Sequence, residues 1–294
     1  MRSRGQQWLG RSVELALTLL IVACLSCATN PYTERQQLIL LPQSYEIQLG
    51  EQAYQQMLHH PKTYLSQDPS EVTPVQRVAA RIIDAAKRSK YVDTVSRFHW
   101  EVVVIKDDKT INAFALPGGK IAVYTGIFPV AKNEAGLAMV LGHEVTHALA
   151  QHGAERMSQG MVAQLGLMGA EVALQMEGLG PQTSSAVMQA LGLGTQVGVL
   201  LPFSREHESE ADHVGIILAA QAGYDPREAT RLWQRMEQAG GAQPPEFLAT
   251  HPSHGTRIKQ LEEWMPEALA SYDQAPHVSP VAELPSLRVR GGIK

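Results

Sequence analysis

At 294 residues with 44% hydrophobic side chains, the chain is long enough to bury a substantial core as one large domain or two small ones. Its net charge of -4 and pI near 6.3 come with no basic stripe, which argues against a nucleic-acid partner. Both cysteines, Cys24 and Cys27, sit at the end of one apolar run, which excludes a disulfide framework.

The first element is that run. Arg2, Arg4 and Arg11 precede "LALTLLIVACLSC", the charged and apolar regions of an export signal, too short for a comfortable membrane span. Residues 1–27 are therefore expected to be a lipoprotein-type signal. "IVAC" fits the general acylation pattern at Cys24, whereas lipidation at Cys27 leaves the mature chain without a stray thiol; Cys27 is preferred.

After a Pro-punctuated connector, "QSYEIQLGEQAYQQML" has helical spacing, with Ile47, Ala53 and Met57 on one face. A second helix is expected to start near Thr73-Pro74, because Val75, Val78, Ala79, Ile82, Ile83 and Ala86 recur at helical intervals after a Pro suited to a first turn. The period then changes. "FHWEVVVIKDD" and "TINAFALPGGKIAVYTGI" are β-branched and aromatic, "LPGGK" reads as a turn, and a small antiparallel sheet is expected. From Lys132 to about Met157 a single helix is expected. Residues 160–202, rich in Gly, Met and Leu, read as buried or lid helices rather than membrane spans, because Glu171, glutamines and repeated glycines interrupt them. "SREHESEADHVGIILAAQAG" gives a further packed helix, and the Pro-containing tail over 271–294 has no pattern and is expected to be disordered.

Chemistry concentrates in "LGHEVTHALAQH". Residues four apart share a helix face, so His143 and His147 can aim at one ion with Glu144 beside it. Zn2+ suits such a site, and a carboxylate next to it can accept a proton from water. The flanks "AMVLG" and "ALA" are small and apolar, so the histidines are expected to be buried and to need partners. A third ligand is required. His152 is one position away from the spacing of H-E-x-x-H-x-x-G-x-x-H and is expected to point elsewhere. In "SREHESEAD", Glu208 and Asp212 are four apart, so one can bind metal while the other holds a ligating histidine; Glu206 and Glu210 compete for the first role.

"HEVTH" followed by "SREHESEAD" resembles the zinc metallopeptidase family of the CaaX prenyl protease, HtpX and the OMA proteases, over about residues 28–270. The resemblance implies a mainly helical α+β, zincin-like fold with a small sheet beside the HExxH helix. It also implies that Glu208 is the third ligand and that Asp212 supports the site. "CATNPYTERQQLIL", "NAFALPGGKIAVYTGI" and "THPSHGTRI" are similar to the family's secreted lipoprotein branch, which includes the beta-barrel assembly-enhancing protease, without that protein's repeat domain. This is a second reason for Cys27.

The same likeness implies that His251 fills a fourth zinc position in a latent state or stabilises an oxyanion, with His254 close by and Arg257 and Arg205 as weaker oxyanion candidates. A histidine that only caps a loop is the plainer reading. An edge strand beside a metal can hold an extended peptide, so "INAFALP" is the expected substrate strand, with Asn112 contacting substrate.

The expected activity is zinc endopeptidase hydrolysis with Glu144 as base, acting on misfolded or misassembled envelope proteins from the periplasmic side of a bacterial membrane. Polypeptides are the expected partners, together with a membrane reached through the lipid anchor. Two rival readings are a non-catalytic zinc-binding assembly or chaperone lipoprotein, and a hydrolase of non-peptide amide bonds in the cell wall.

Overall fold

The structure, a computed structural model, describes residues 27–176, 204–239, 245–251 and 255–286. The expected export signal before Cys27, with Cys24, lies outside the described residues, as do His254 and the stretch 177–203.

Strands β1 (Cys27–Thr29) and β2 (Gln36–Leu38) form a small antiparallel hairpin. Helix α1 (Gln43–Leu58) follows, then α2 (Pro69–Lys87), which begins one turn earlier than the sequence suggested. Asp68 caps it by accepting from the Ser70 N–H at 2.9 Å, and Pro69 takes a first-turn position where a missing N–H costs nothing. Pro74 therefore sits inside the helix. The short α3 (Val92–Val95) leads to β3 (Glu101–Ile105), β4 (Ala113–Leu116) and β5 (Lys120–Tyr124).

The sheet has the order β3-β5-β4. The β4–β5 hairpin is the expected one, with Ala113 opposite Val123 and both turn glycines, Gly118 and Gly119, at positive φ. The β3–β5 pair is parallel, so the sheet is mixed and not purely antiparallel. The chain reverses direction between β3 and β4 and again between β4 and β5, so β3, on the far side of β5, runs with it. This leaves β4 as an edge strand.

A short α4 (Phe128–Ala131) precedes α5 (Glu134–Leu149), capped by the Asn133 side chain accepting from the Gly136 N–H at 3.0 Å. All sixteen residues of α5 are buried. It is the centre of the molecule, enclosed by α2, β4, α4, α7 (Arg205–Gln221) and α8 (Glu228–Ala239). A helix apolar all round is stable only when covered on every side.

The helix does not continue to Met157 as expected. It stops at Leu149, Gln151 adopts φ 56°, and α6 (His152–Met176) starts in a new direction. Met161, Val162 and Leu165 on α6 are exposed, so the start of the 160–202 stretch is not core as a buried reading of it required. Among the described residues, no helix is long and apolar enough to cross a membrane.

The chain closes with α9 (Glu246–Thr250) and α10 (Arg257–Asp273), the latter packed on α7. The tail differs from the expectation of disorder over its described part. The Val278 N–H donates to the Gly223 carbonyl, the Leu284 N–H to that of Lys132, and the Glu134 N–H to that of Ala282. These bonds and the buried Leu284 hold Val278 beside the end of α7 and residues 282–284 along the start of α5.

Candidate metal centre

Two helices without side chains at their crossing make the site possible. A Cβ on Gly142 of α5 would lie 2.5 Å from the Gly215 carbonyl oxygen of α7, and one on Gly215 would lie 2.8 Å from the His143 nitrogen. Backbones this close allow short acidic side chains on α7 to reach the histidines of α5. Ser204 starts α7 by accepting from the His207 N–H, and the four-residue spacing puts Glu208 and Asp212 on the face toward α5.

His143, His147, Glu208 and His251 each present one ligand atom, all within 4.8 Å of one another, and all four residues are buried. His143 Nε2 and His147 Nε2 are 3.0 Å apart, and they lie 3.5 and 3.4 Å from the Glu208 carboxylate oxygens. Donors bound to tetrahedral zinc at about 2.0–2.1 Å stand roughly 3.3 Å from each other, so two imidazoles and a carboxylate at these separations fit that ion. Glu208 is the α7 carboxylate that faces the Nε2 atoms of both histidines; Glu206 is exposed, and Glu210 turns to a different set of partners.

Asp212 Oδ1 accepts from His143 Nδ1 at 2.8 Å, which fixes the ring with Nε2 toward the centre. Arg257, at the start of α10, bonds Asp212 through Nε and Glu208 Oε2 through Nη2 at 2.8 Å, and its guanidinium lies 3.5 Å from the Trp233 ring centroid. Arg257 thus commits Nε and Nη2 to the two acidic side chains, while its Nη1 is buried with no hydrogen-bond partner among the described residues. Arg205 is exposed at the first turn of α7.

The electrostatics follow from burial. Burial alone would raise Glu208, but hydrogen bonds from His147 and His251 outweigh it and hold the carboxyl well below the usual range. Burial pushes the His147 imidazole well down and the Glu144 carboxyl up. Burial would also lower His251, yet the charges of Glu144 and Glu208 raise it. Glu144 Oε1 is buried, has no hydrogen-bond partner among the described residues, and lies 3.5 Å from His251 Nε2. An orphaned carboxylate oxygen beside a donor cluster marks a position for a water or substrate group.

His251 follows α9, its ring stacked on Phe247 with centroids 4.7 Å apart. The Phe247 N–H donates to the Ile111 carbonyl at 3.1 Å, which ties α9 to the strand side of the site. His251 Nδ1 is 2.9 Å from Glu208 Oε1 and 3.3 Å from His143 Nε2. Asn112 is buried just before β4, where its Oδ1 accepts from the Ala113 N–H at 2.9 Å. Its oxygen thus serves its own strand.

A second buried polar cluster, not foreseen from the sequence, lies behind His147. His152 Nδ1 is 2.9 Å from His147 Nδ1, and His152 Nε2 is 2.7 Å from Glu210 Oε2. Arg35 of the N-terminal hairpin bonds Glu210 at 2.8 Å and Glu155 at 2.7 and 2.8 Å. Thr33 also bonds Glu210, while His207 stacks on His152 and contacts Glu155 at 3.0 Å.

Comparison with known proteins agrees with this geometry. The model of Peptidase family M48 matches residues 69–265. The mitochondrial metalloendopeptidase OMA1 of Schizosaccharomyces pombe is 37% identical over 242 residues, covering 81% of this chain and 66% of that protein. Metalloendopeptidase OMA1 of Homo sapiens is 34% identical over 82% of the chain and 46% of its own length. The beta-barrel assembly-enhancing protease of Escherichia coli is 31% identical over 72% of the chain and 42% of its own length. The chain thus matches from under half to about two thirds of these relatives' lengths.

Proposed function

The chain belongs to peptidase family M48, and from that membership we propose that it is a zinc-dependent endopeptidase. The observation that supports this best is the convergence of His143, His147 and Glu208 beside a buried Glu144 whose Oε1 accepts no hydrogen bond from the described residues. When bound there, zinc would supply a Lewis acid that makes water a nucleophile near neutral pH.

In this reading His143, His147 and Glu208 hold the metal, and Asp212 orients His143. Glu144 is the base: Oε1 takes the proton of the attacking water and returns it to the leaving amine. The free edge of β4 would pair with an extended polypeptide, with Asn112 at the start of that edge, and the Ala115 backbone N–H steadies the Glu144 carboxylate.

His251 completes a four-donor set in this conformation, so we assign it the fourth position of a resting form, from which substrate must displace it. His251→Ala is then expected to raise cleavage of an unfolded protein; a fall of about 10²-fold would assign it instead to oxyanion stabilisation.

The finer proposal concerns place and substrate. The lipoprotein-type start, with acylation at Cys27, would place the enzyme on the periplasmic side of a bacterial membrane, acting on misfolded or misassembled envelope proteins. The resemblance to the secreted branch supports this, as does the likeness to the E. coli protease. Mass spectrometry of the mature N-terminus checks the anchor, with a diacylglyceryl-Cys27 expected and an unmodified terminus overturning it.

The four-donor set also suits a structural zinc site, the reading in which the protein is a non-catalytic assembly factor. The test gives the purified full chain an unfolded protein and, separately, peptidoglycan, beside Glu144→Gln. Peptide cleavage that falls about 10²–10⁴-fold in the variant while zinc is retained supports the proposal. Zinc with no cleavage favours the structural reading, and cleavage of peptidoglycan alone favours the cell-wall one.

A further inference from the structure

His147 presents Nε2 to the metal centre, so that nitrogen must carry a lone pair and Nδ1 must carry the ring proton. A proton on a buried nitrogen needs an acceptor, and His152 Nδ1 is 2.9 Å away. For His152 to accept there, its own proton must be on Nε2, which faces Glu210 Oε2 at 2.7 Å. A carboxylate can only accept, and Glu210 also accepts from Arg35 at Oε2 and from Thr33 at Oε1. The sequence of donors therefore has one consistent direction, from His147 through His152 to Glu210.

We propose that His152 is a positioning residue that fixes the tautomer and orientation of His147, and that the N-terminal hairpin, through Arg35 and Thr33, completes this support. The inference rests on the zinc reading above. Asp212 performs the corresponding task for His143 with a carboxylate directly on the ring nitrogen. At His147 the carboxylate is one imidazole further away, because the break at Gln151 turns His152 back onto the ring. On a continuous helix a residue five positions on would lie about 140° away around the axis. The hairpin also lies outside residues 69–265, so the support for this ligand extends beyond the segment that the family model matches.

Residues that hold a metal-ligating histidine by its other ring nitrogen change metal affinity by about 10–100-fold. The test measures zinc dissociation constants by chelator competition on the purified full chain and its variants, with circular dichroism as a fold control. His152→Phe keeps the ring volume and removes the acceptor, and it is expected to weaken zinc binding 10–100-fold with helicity unchanged. His152→Asn puts an amide oxygen near the place of Nδ1 and is expected to restore most of the affinity, which a role in packing alone would not predict. Arg35→Met is expected to fall between the parent and His152→Phe.

The variants His152→Phe and His152→Asn losing affinity equally, or His152→Phe binding like the parent, would overturn the proposal. Should His152→Phe not fold, long-range 15N spectra of the zinc-loaded parent decide: a proton on His147 Nδ1 together with one on His152 Nε2 supports it, and either proton on the other nitrogen overturns it. None of these readouts needs peptidase activity. A parent chain that binds no zinc would overturn the metal assignment itself, and this inference with it.

Discussion

At the scale of single residues, the site is a cluster of buried charges that compensate one another. Glu208 and Asp212 are both buried, and Arg257 is the cation that bonds both. Taking one partner out of a buried ionic group leaves the others uncompensated, at a cost of about 3–5 kcal/mol. Arg257→Met is therefore expected to destabilise the metal-free chain by about that amount in urea unfolding, and a loss under 1 kcal/mol would show that the carboxylates find other compensation. That His143 and His147 share one face, with Glu144 beside them, was readable because i, i+4 spacing on a helix fixes which side chains lie together, whereas spacing left Glu208 in competition with Glu206 and Glu210 and the family resemblance favoured it. Arg257 and His152 were not readable in these roles. The first depends on how α10 packs on α7, and the second on a left-handed Gln151, a residue type that gives no signal of a break.

At the scale of elements, the crossing of α5 and α7 sets the distance between the histidines and Glu208. Gly→Ala inside a helix is by propensity favourable by roughly 1 kcal/mol. Here the added Cβ at 142 would be 2.5 Å from a backbone oxygen, which cannot rotate away, so the helices must separate. Overpacking costs typically about 1–3 kcal/mol, and the steric effect outweighs propensity. Gly142→Ala is thus expected to lower stability and also zinc affinity, since Glu208 moves with α7; a variant as stable as the parent with unchanged affinity would contradict this account. The helices were legible from their periodicity, but their limits less so. Asp68-Pro69-Ser70-Glu71 is a complete start signal, yet Pro74 drew the expected boundary inward by five residues. The parallel β3–β5 pairing could not be read, because alternation specifies which face is buried and not which neighbour a strand takes.

At the scale of the whole molecule, the metal and the proton act on the same folded state, and both effects have a predictable sign. A ligand bound only by the native chain stabilises it by about 2.7 kcal/mol at a hundred times its dissociation constant, which for a domain of this size raises Tm by roughly 5–10 °C. Chelating zinc is expected to lower Tm by that amount, as scanning calorimetry would show. Acid acts through the cluster behind His147. Burial pushes His152 down to about 4, and although burial would raise Glu210, bonds from His152, Arg35 and Thr33 bring it to about 2. A group whose folded pKa lies below its ordinary value binds fewer protons when native, so its contribution is complete at high pH and disappears as pH falls. For His152 that window runs from 6.5 to about 4, and for Glu210 from 4.5 to about 2. The raised His251 acts in the opposite direction, so the parent's net slope mixes the two. A difference between variants isolates the His152 part, which is up to about 3 kcal/mol at 1.36 kcal/mol per pKa unit. Urea unfolding of the metal-free parent and of His152→Asn at pH 7 and pH 4 should therefore show the variant losing less stability on acidification than the parent; equal losses would mean that His152 does not stay neutral in the folded chain.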